Sequence, residues 1–208
     1  MRGSDGSTSR ASRKELAIVR HRMAEIAEIA GLDTELVITV GNYDIRLDTF
    51  LSQNAAACEG VKGFALRDHI DPCWAMAWQV EINGSGPNGV LVRHRFKSAA
   101  GAGRANVLAA GCSVISSHTH QANATRISNS RGHLWGVDTC CIAALNSRAF
   151  VGYTEIAAAA GMSNWASAFV VLTLENGLLL PPEHVLVLDE AAGLWSWRGK
   201  IYRTETVH

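Results

Sequence analysis

The stretch that most constrains the fold is VISSHTHQAN, residues 114–123, where a short apolar run ends abruptly in small polar residues and two histidines. Such a run is typical of a buried strand that ends at the surface. His118 and His120 stand two positions apart, and in extended backbone such side chains project to the same side. The spacing therefore predicts that both imidazoles can approach one metal ion. The alternative is a pair of surface histidines on a hairpin.

Two other β-branched runs also stop at a residue that can bind a metal. VITVGNYD, residues 37–44, reaches Asn42, and VLVRH, residues 90–94, reaches His94. Taken alone, Asn42 could form a turn, His94 could be a core histidine, and Asp44 could cap the helix that follows. The position of all these residues at strand ends favours one common site.

The rest of the pattern predicts an α/β fold. Apolar residues recur at three- and four-residue spacing over residues 12–30, which predicts a helix that ends at Gly31. A second helix is expected over residues 46–58, and the turn NGSGPNG at residues 83–89 predicts a hairpin. Many short strands with few helices indicate an α/β sandwich of mixed sheets.

Composition excludes several classes of protein. Lys plus Arg and Asp plus Glu both total 19, so nothing draws the whole chain to nucleic acid or to an anionic membrane. No window approaches the roughly 18 apolar residues of a membrane span. Five cysteines without a secretory signal pattern favour a reducing cytoplasm. We expect a single domain over residues 12–208, after a disordered Gly-, Ser- and Arg-rich leader at residues 1–11.

The order of these motifs resembles that of the metallophosphoesterase superfamily, the calcineurin-like phosphoesterases. Gly-Asn-x-Asp, a lone histidine and His-x-His follow one another here, and IRLDTFL, LVRHRFK, THQAN and GVDT are similar to phage and bacterial members. The resemblance implies an αββα sandwich that holds two divalent metals at its strand ends. It implies that Asn42, His94 and His118 bind one metal and that His120 binds the other. Mixed nitrogen and oxygen ligands suit zinc, manganese or iron.

The departures from the family pattern affect its first half. Neither Asp-x-His nor Gly-Asp-x-x-Asp precedes residue 37, so the resemblance implies a truncated αββα metallophosphoesterase-like sandwich. Tyr43 stands where the family has the histidine that assists the leaving group. Ser117 and Cys140 stand where glycines are usual.

Three accounts fit this pattern. The first is an active hydrolase in which a metal-bound hydroxide attacks a small phosphoester, with Tyr43, Asp44 and His120 as catalytic residues. Because a phenol is a weak proton donor at neutral pH, activated phosphodiesters or phosphotriesters are then the expected substrates. The second is an inactive metallophosphoesterase remnant that serves as a metal-binding or assembly scaffold. The third is a structural zinc site in which cysteines join His118 or His120. An uncovered sheet edge also predicts a homodimer or a higher homo-oligomer.

Overall fold

A computed structural model of the chain describes residues 5–84, 86, 88–98, 101–130, 132–143, 145 and 165–204. The chain divides into two compact units, residues 1–78 and 79–208. The single domain predicted from residue 12 onwards therefore spans both units. None of the helices in the described ranges is long and apolar enough to cross a membrane.

The first unit begins with a long helix. α1 spans Asp5–Ala30, so it includes the predicted helix and also part of the stretch that the composition assigned to a leader. Gly31 ends it with a φ of +80°, a left-handed conformation that glycine adopts at low cost. The bounds of the other regular elements are β1 Leu36–Thr39, α2 Arg46–Asn54, the 3₁₀ helices Ala56–Cys58 and Leu66–His69, and β2 Trp74–Ala77. β1 and β2 pair in parallel.

The second unit contains a mixed sheet of five strands in the order β3-β4-β5-β7-β6. β4, β5 and β7 run parallel in its centre, and β3 and β6 are antiparallel edges. A helix, α3, links β4 to β5. The bounds are β3 Val80–Ile82, β4 Val90–Val92, α3 Ala102–Ala110, β5 Ser113–Ser116, β6 Ala122–Asn129 and β7 Gly132–Thr139.

A second sheet of four antiparallel strands has the order β13-β12-β11-β8, and β9 and β10 form a separate hairpin. The bounds are β8 Ala168–Val171, β9 Leu174–Glu175, β10 Leu178–Leu179, β11 Glu183–Asp189, β12 Leu194–Trp197 and β13 Lys200–Arg203. The Gly- and Ala-rich stretch of the sequence at residues 150–164 lies outside the described residues. The α/β class is confirmed by this mixture of helices and sheets.

The five-stranded sheet is covered on both faces. On one face, Val107 of α3 packs against Ile127 and Leu134. There the helix backbone touches the strand directly, because a Cβ atom on Gly103 would lie 2.9 Å from the carbonyl oxygen of Gly136. The opposite face carries the core cluster Val90, Ile115 and Val137, against which residues of β8, β9 and β10 pack. β5 is consequently buried along its whole length.

Candidate functional site

The carboxyl ends of the parallel strands β4 and β5 carry two of the predicted ligands. The carbonyl oxygen of His94 accepts hydrogen bonds from the backbone N–H groups of Ser117, at 3.2 Å, and His118, at 3.1 Å. These bonds extend the β4–β5 pairing past the last residue of each strand. The backbones that carry His94 and His118 are therefore fixed to one another.

The imidazoles of His94 and His118 meet directly. Nε2 of His94 lies 3.3 Å from Nδ1 of His118, and the rings cross at 78° with centroids 5.3 Å apart. On its other side, Nδ1 of His94 lies 3.2 Å from the hydroxyl oxygen of Ser117. A neutral imidazole donates through one nitrogen and accepts through the other. Ser117 thus helps to determine which nitrogen of His94 faces His118.

The surroundings of His118 favour its neutral form. Burial lowers the pKa of its imidazole, and the nearby His94, Arg95 and His120 lower it further because a proton there would add positive charge. An unprotonated imidazole is the form that binds a metal ion or accepts a proton. The site therefore favours an unprotonated imidazole, with a nitrogen lone pair, at neutral pH.

His120 lies beside this pair, on the wall of a surface cavity of about 390 Å³. Its φ of +58° turns the chain, and its ring meets the ring of Trp165 edge-on at 4.6 Å. Burial, followed by the charge of His94, lowers the pKa of its imidazole. The cavity is lined by His94, Ser117, His120, Thr139, Cys140, Cys141, Ile142, Ala168 and Phe169.

Two cysteines, Cys140 and Cys141, line the same cavity. Cys140 is buried with a φ of +68°, and burial raises the pKa of its thiol to about 12. Burial also raises the pKa of Cys141, whose Sγ lies 3.5 Å from the carbonyl oxygen of Ala166. Zinc binds thiolates rather than thiols. Because a bound zinc itself deprotonates its thiol ligands, the predicted structural zinc site stays a prediction.

A buried polar network behind β5 was not predicted from the sequence. Asn106 of α3 is fully buried; its Oδ1 accepts the backbone N–H of Lys97 at 2.8 Å, and its amide donates to Ser116 Oγ at 3.3 Å. Ser116 Oγ lies 3.1 Å from Oδ1 of Asp138, whose carbonyl oxygen accepts from Nε2 of His184 at 2.9 Å. Burial raises the pKa of Asp138, against the opposing effects of Thr119, Ser116 and His184. The network ties α3, β5, β7 and β11 together beneath the histidines.

Asn42, Tyr43 and Asp44 belong to the first unit, in the turn between β1 and α2. Oδ2 of Asp44 accepts the backbone N–H of Gly41 at 2.7 Å. Asp44 therefore closes this turn, and Ile45 rather than Asp44 occupies the N-cap position of α2. Tyr43 is 45% exposed, and the guanidinium of Arg46 lies 4.0 Å from its ring centroid.

Whether a metal ion fits the site can be judged from the spacing of the nitrogens of His94 and His118. Two nitrogens bound to one tetrahedral zinc at about 2.0–2.1 Å lie roughly 3.3 Å apart, which matches the 3.3 Å between Nε2 of His94 and Nδ1 of His118. Within the part of the chain that the structure describes, no group of three or more His, Cys, Asp or Glu side chains is arranged to hold a metal. The same spacing is that of a hydrogen bond between the two imidazoles. It is compatible with a metal bound through two nitrogens, and both the metal and its remaining ligands stay predictions.

Comparisons with protein-family models, with curated proteins and with solved structures each found no match to the chain. The metallophosphoesterase assignment therefore stays a prediction that rests on the order of the sequence motifs.

Proposed function

We propose that the protein hydrolyses phosphoesters with the help of a divalent transition metal, zinc, manganese or iron, bound at His94 and His118. The observation that carries the proposal is the 3.3 Å separation of Nε2 of His94 and Nδ1 of His118 at the ends of two parallel strands. The carboxyl ends of parallel strands are where ligands commonly bind in α/β proteins. The family resemblance adds support, because it assigns both residues to one metal.

Each residue of the site has its own role in the proposed hydrolysis. His94 and His118 would hold the cation, and Ser117 would then orient His94 by accepting a hydrogen bond from its Nδ1–H, as outer partners of metal-binding histidines do. The cation would supply a lowered pKa for water, from 15.7 to about 7, and polarisation of the phosphoryl oxygen. His120 lies in the wall of the cavity, where it would contact the substrate. The family resemblance also assigns Asn42 as a further ligand and Tyr43 and Asp44 as catalytic residues.

The cavity favours a small ester with an apolar group. At about 390 Å³ it is within the usual range for small-molecule sites, and its apolar side contains Ile142, Ala168 and Phe169. An aryl leaving group can contact that side. With a phenol in place of an imidazole as proton donor, activated aryl phosphodiesters and uncharged phosphotriesters are the proposed substrates.

A second candidate is a metallophosphoesterase-like remnant that binds a metal or a partner without turnover. It is favoured by the lack of a three-ligand group within the described ranges. It predicts that metal, or none, is bound and that no phosphoester is hydrolysed. The two candidates therefore differ in turnover.

The experiment that tests the proposal measures bound metal and hydrolysis in the same samples. Elemental analysis of the purified protein is followed by assays on p-nitrophenyl mono-, di- and triesters with added zinc or manganese. We expect His118→Ala to lose both bound metal and turnover, whereas His133→Ala, which removes an exposed histidine of β7, keeps both. Full activity in metal-free protein, or equal activity in the two variants, would disprove the proposal. Bound metal without turnover would favour the scaffold.

We also propose that the protein works as a homodimer or higher homo-oligomer in the cytoplasm. Support for assembly comes from α1, along which Ile18, Ile26 and Ile29 are 60%, 49% and 87% exposed. Exposed apolar side chains on one helix commonly mark an interface. All five cysteines are free thiols, as a reducing compartment requires. Light scattering that gave a monomer mass at micromolar concentration would refute the assembly.

A further inference from the structure

A second cavity lies at the opposite ends of the same central strands. It measures about 560 Å³ and is formed where β5 and β7 begin, with the β10 strand and the residues after it as the other wall. Ser113 is the first residue of β5 and His133 the second of β7, whereas His118 follows the last residue of β5. The cavity is therefore separate from the histidine pair and does not depend on the proposed hydrolysis.

The walls of this cavity combine cationic and polar groups with an apolar side. Arg126, His133 and Asn88 supply the polar groups, and Trp135 and Leu178 to Pro181 supply the apolar surface. None of its lining residues carries a carboxylate. Glu175, which pairs with Leu178 in the β9–β10 hairpin, is not among them. Arg126 is therefore the charged residue of the lining, and no carboxylate of the lining offsets it.

The arrangement of these groups is fixed by the sheet. Arg126 and Trp135 stand directly opposite one another in the β6–β7 pairing, so their side chains share one face. The backbone N–H of Trp135 donates to Ser113 Oγ at 3.0 Å, and Ser128 Oγ lies 3.0 Å from Nδ1 of His133. The ion pairs found among the described residues do not involve Arg126. Its guanidinium is thus available for an external anion.

We propose that this cavity binds a small organic anion, a flat apolar body that carries one carboxylate, sulfonate or phosphate group. The anionic group meets Arg126, whose planar guanidinium offers paired donors to such oxygens. The flat body lies against Trp135 and Leu179, which also pack on the core cluster of the sheet. The volume of about 560 Å³ accommodates a ligand with one or two rings.

The test uses 2-naphthalenesulfonate, which is anionic at every working pH and has no ester to hydrolyse. Binding is followed by the ¹H–¹⁵N signal of the Trp135 indole, assigned with Trp135→Phe. Naphthalene-2-methanol serves as the uncharged analogue of the probe. Arg126→Gln removes the charge at an exposed position, Arg126→Lys retains it, and Arg104→Gln removes an exposed arginine on α3 as the matched control.

We expect the sulfonate to shift the Trp135 signal and to bind roughly 10-fold more weakly to Arg126→Gln, because a charged hydrogen bond at a partly exposed site is lost. Arg104→Gln should bind as the parent does, and Arg126→Lys should lie between the parent and Arg126→Gln. Circular dichroism should show that all three variants fold. The inference fails if the probe does not move the Trp135 signal, if Arg126→Gln binds as tightly as Arg104→Gln, or if the uncharged analogue binds as tightly as the sulfonate.

Discussion

Replacement of Asn106 by alanine tests the buried network beneath the histidines. Asn106 is 0% exposed, and its Oδ1 accepts the backbone N–H of Lys97 at 2.8 Å. The variant removes this hydrogen bond and truncates a fully buried polar side chain, which together cost about 1–3 kcal/mol. Ser116 loses the amide as a donor but keeps its contact with Asp138, so its loss is smaller. Alanine is a better helix former than asparagine by about 0.5 kcal/mol, which offsets part of the cost.

We therefore expect Asn106→Ala to lower the free energy of unfolding by about 2 kcal/mol. Urea denaturation followed by far-ultraviolet circular dichroism measures this change, and hydrogen exchange at the Lys97 amide measures it locally. The matched control is Arg104→Ala, an exposed position on the same helix, for which a change within about 0.5 kcal/mol is expected.

The same variant should also weaken the histidine site. Lys97 follows His94 by three residues, so release of its backbone N–H loosens the segment that carries His94. Metal content and hydrolysis should then fall in Asn106→Ala and stay unchanged in Arg104→Ala. The reasoning would be refuted if Asn106→Ala were no less stable than Arg104→Ala and the Lys97 amide kept its protection from exchange.

Three further predictions concern other positions. Tyr43→His should speed the hydrolysis of phosphodiesters with poor leaving groups by about 10²-fold or more, as a positioned general acid would. The hydrolysis rate of activated aryl esters should stay nearly unchanged. An equal effect across a series of graded leaving groups would contradict this role. Gly136→Ala should lower the thermal midpoint and the free energy of unfolding by about 1–3 kcal/mol, since the new Cβ meets the backbone of Gly103; an unchanged midpoint would contradict the close contact. In the folded protein, iodoacetamide at pH 8 should modify exposed Cys73 and spare buried Cys140 until the protein unfolds. Burial raises the pKa of the Cys140 thiol to about 12, so it becomes a thiolate only as the pH approaches that value. Mass spectrometry of labelled peptides distinguishes the two cysteines, and equal labelling in the folded state would contradict the burial.

Patterns in the sequence predicted those helices and turns that form through interactions between residues close in the sequence. The three- and four-residue spacing of apolar side chains predicted α1, and Gly31 ends it as expected. The predicted second helix stops at Asn54, because Ala55 leaves the helical conformation with a ψ of 46°. The turn residues NGSGPNG predicted the hairpin of β3 and β4. In each case, residues close in the sequence determine the backbone conformation.

The meeting of His94 and His118 was predictable from the strand ends, whereas the residues that support it were not. Ser116 and Asp138 are 22 residues apart, and His184 reaches the backbone of Asp138 across 46 residues. No spacing rule connects positions so distant. The pairing of β5 with β7 brings Ser116 to Asp138, whereas His184 comes from β11 of the other sheet. The role of Asp44 in its turn was also missed, since a carboxylate after a strand reads equally as a ligand or a helix cap.

The contact between the two histidines also has a consequence for the order of folding. His94 and His118 are 24 residues apart, and the segment between them forms α3 and β5. Closing such a loop costs entropy before any long-range contact can repay it, so the imidazoles meet only when β4 and β5 pair in parallel. The metal ion that we propose would reach both nitrogens in their native geometry only after this pairing. The rate of metal uptake during refolding would thus report the completion of this β–α–β unit.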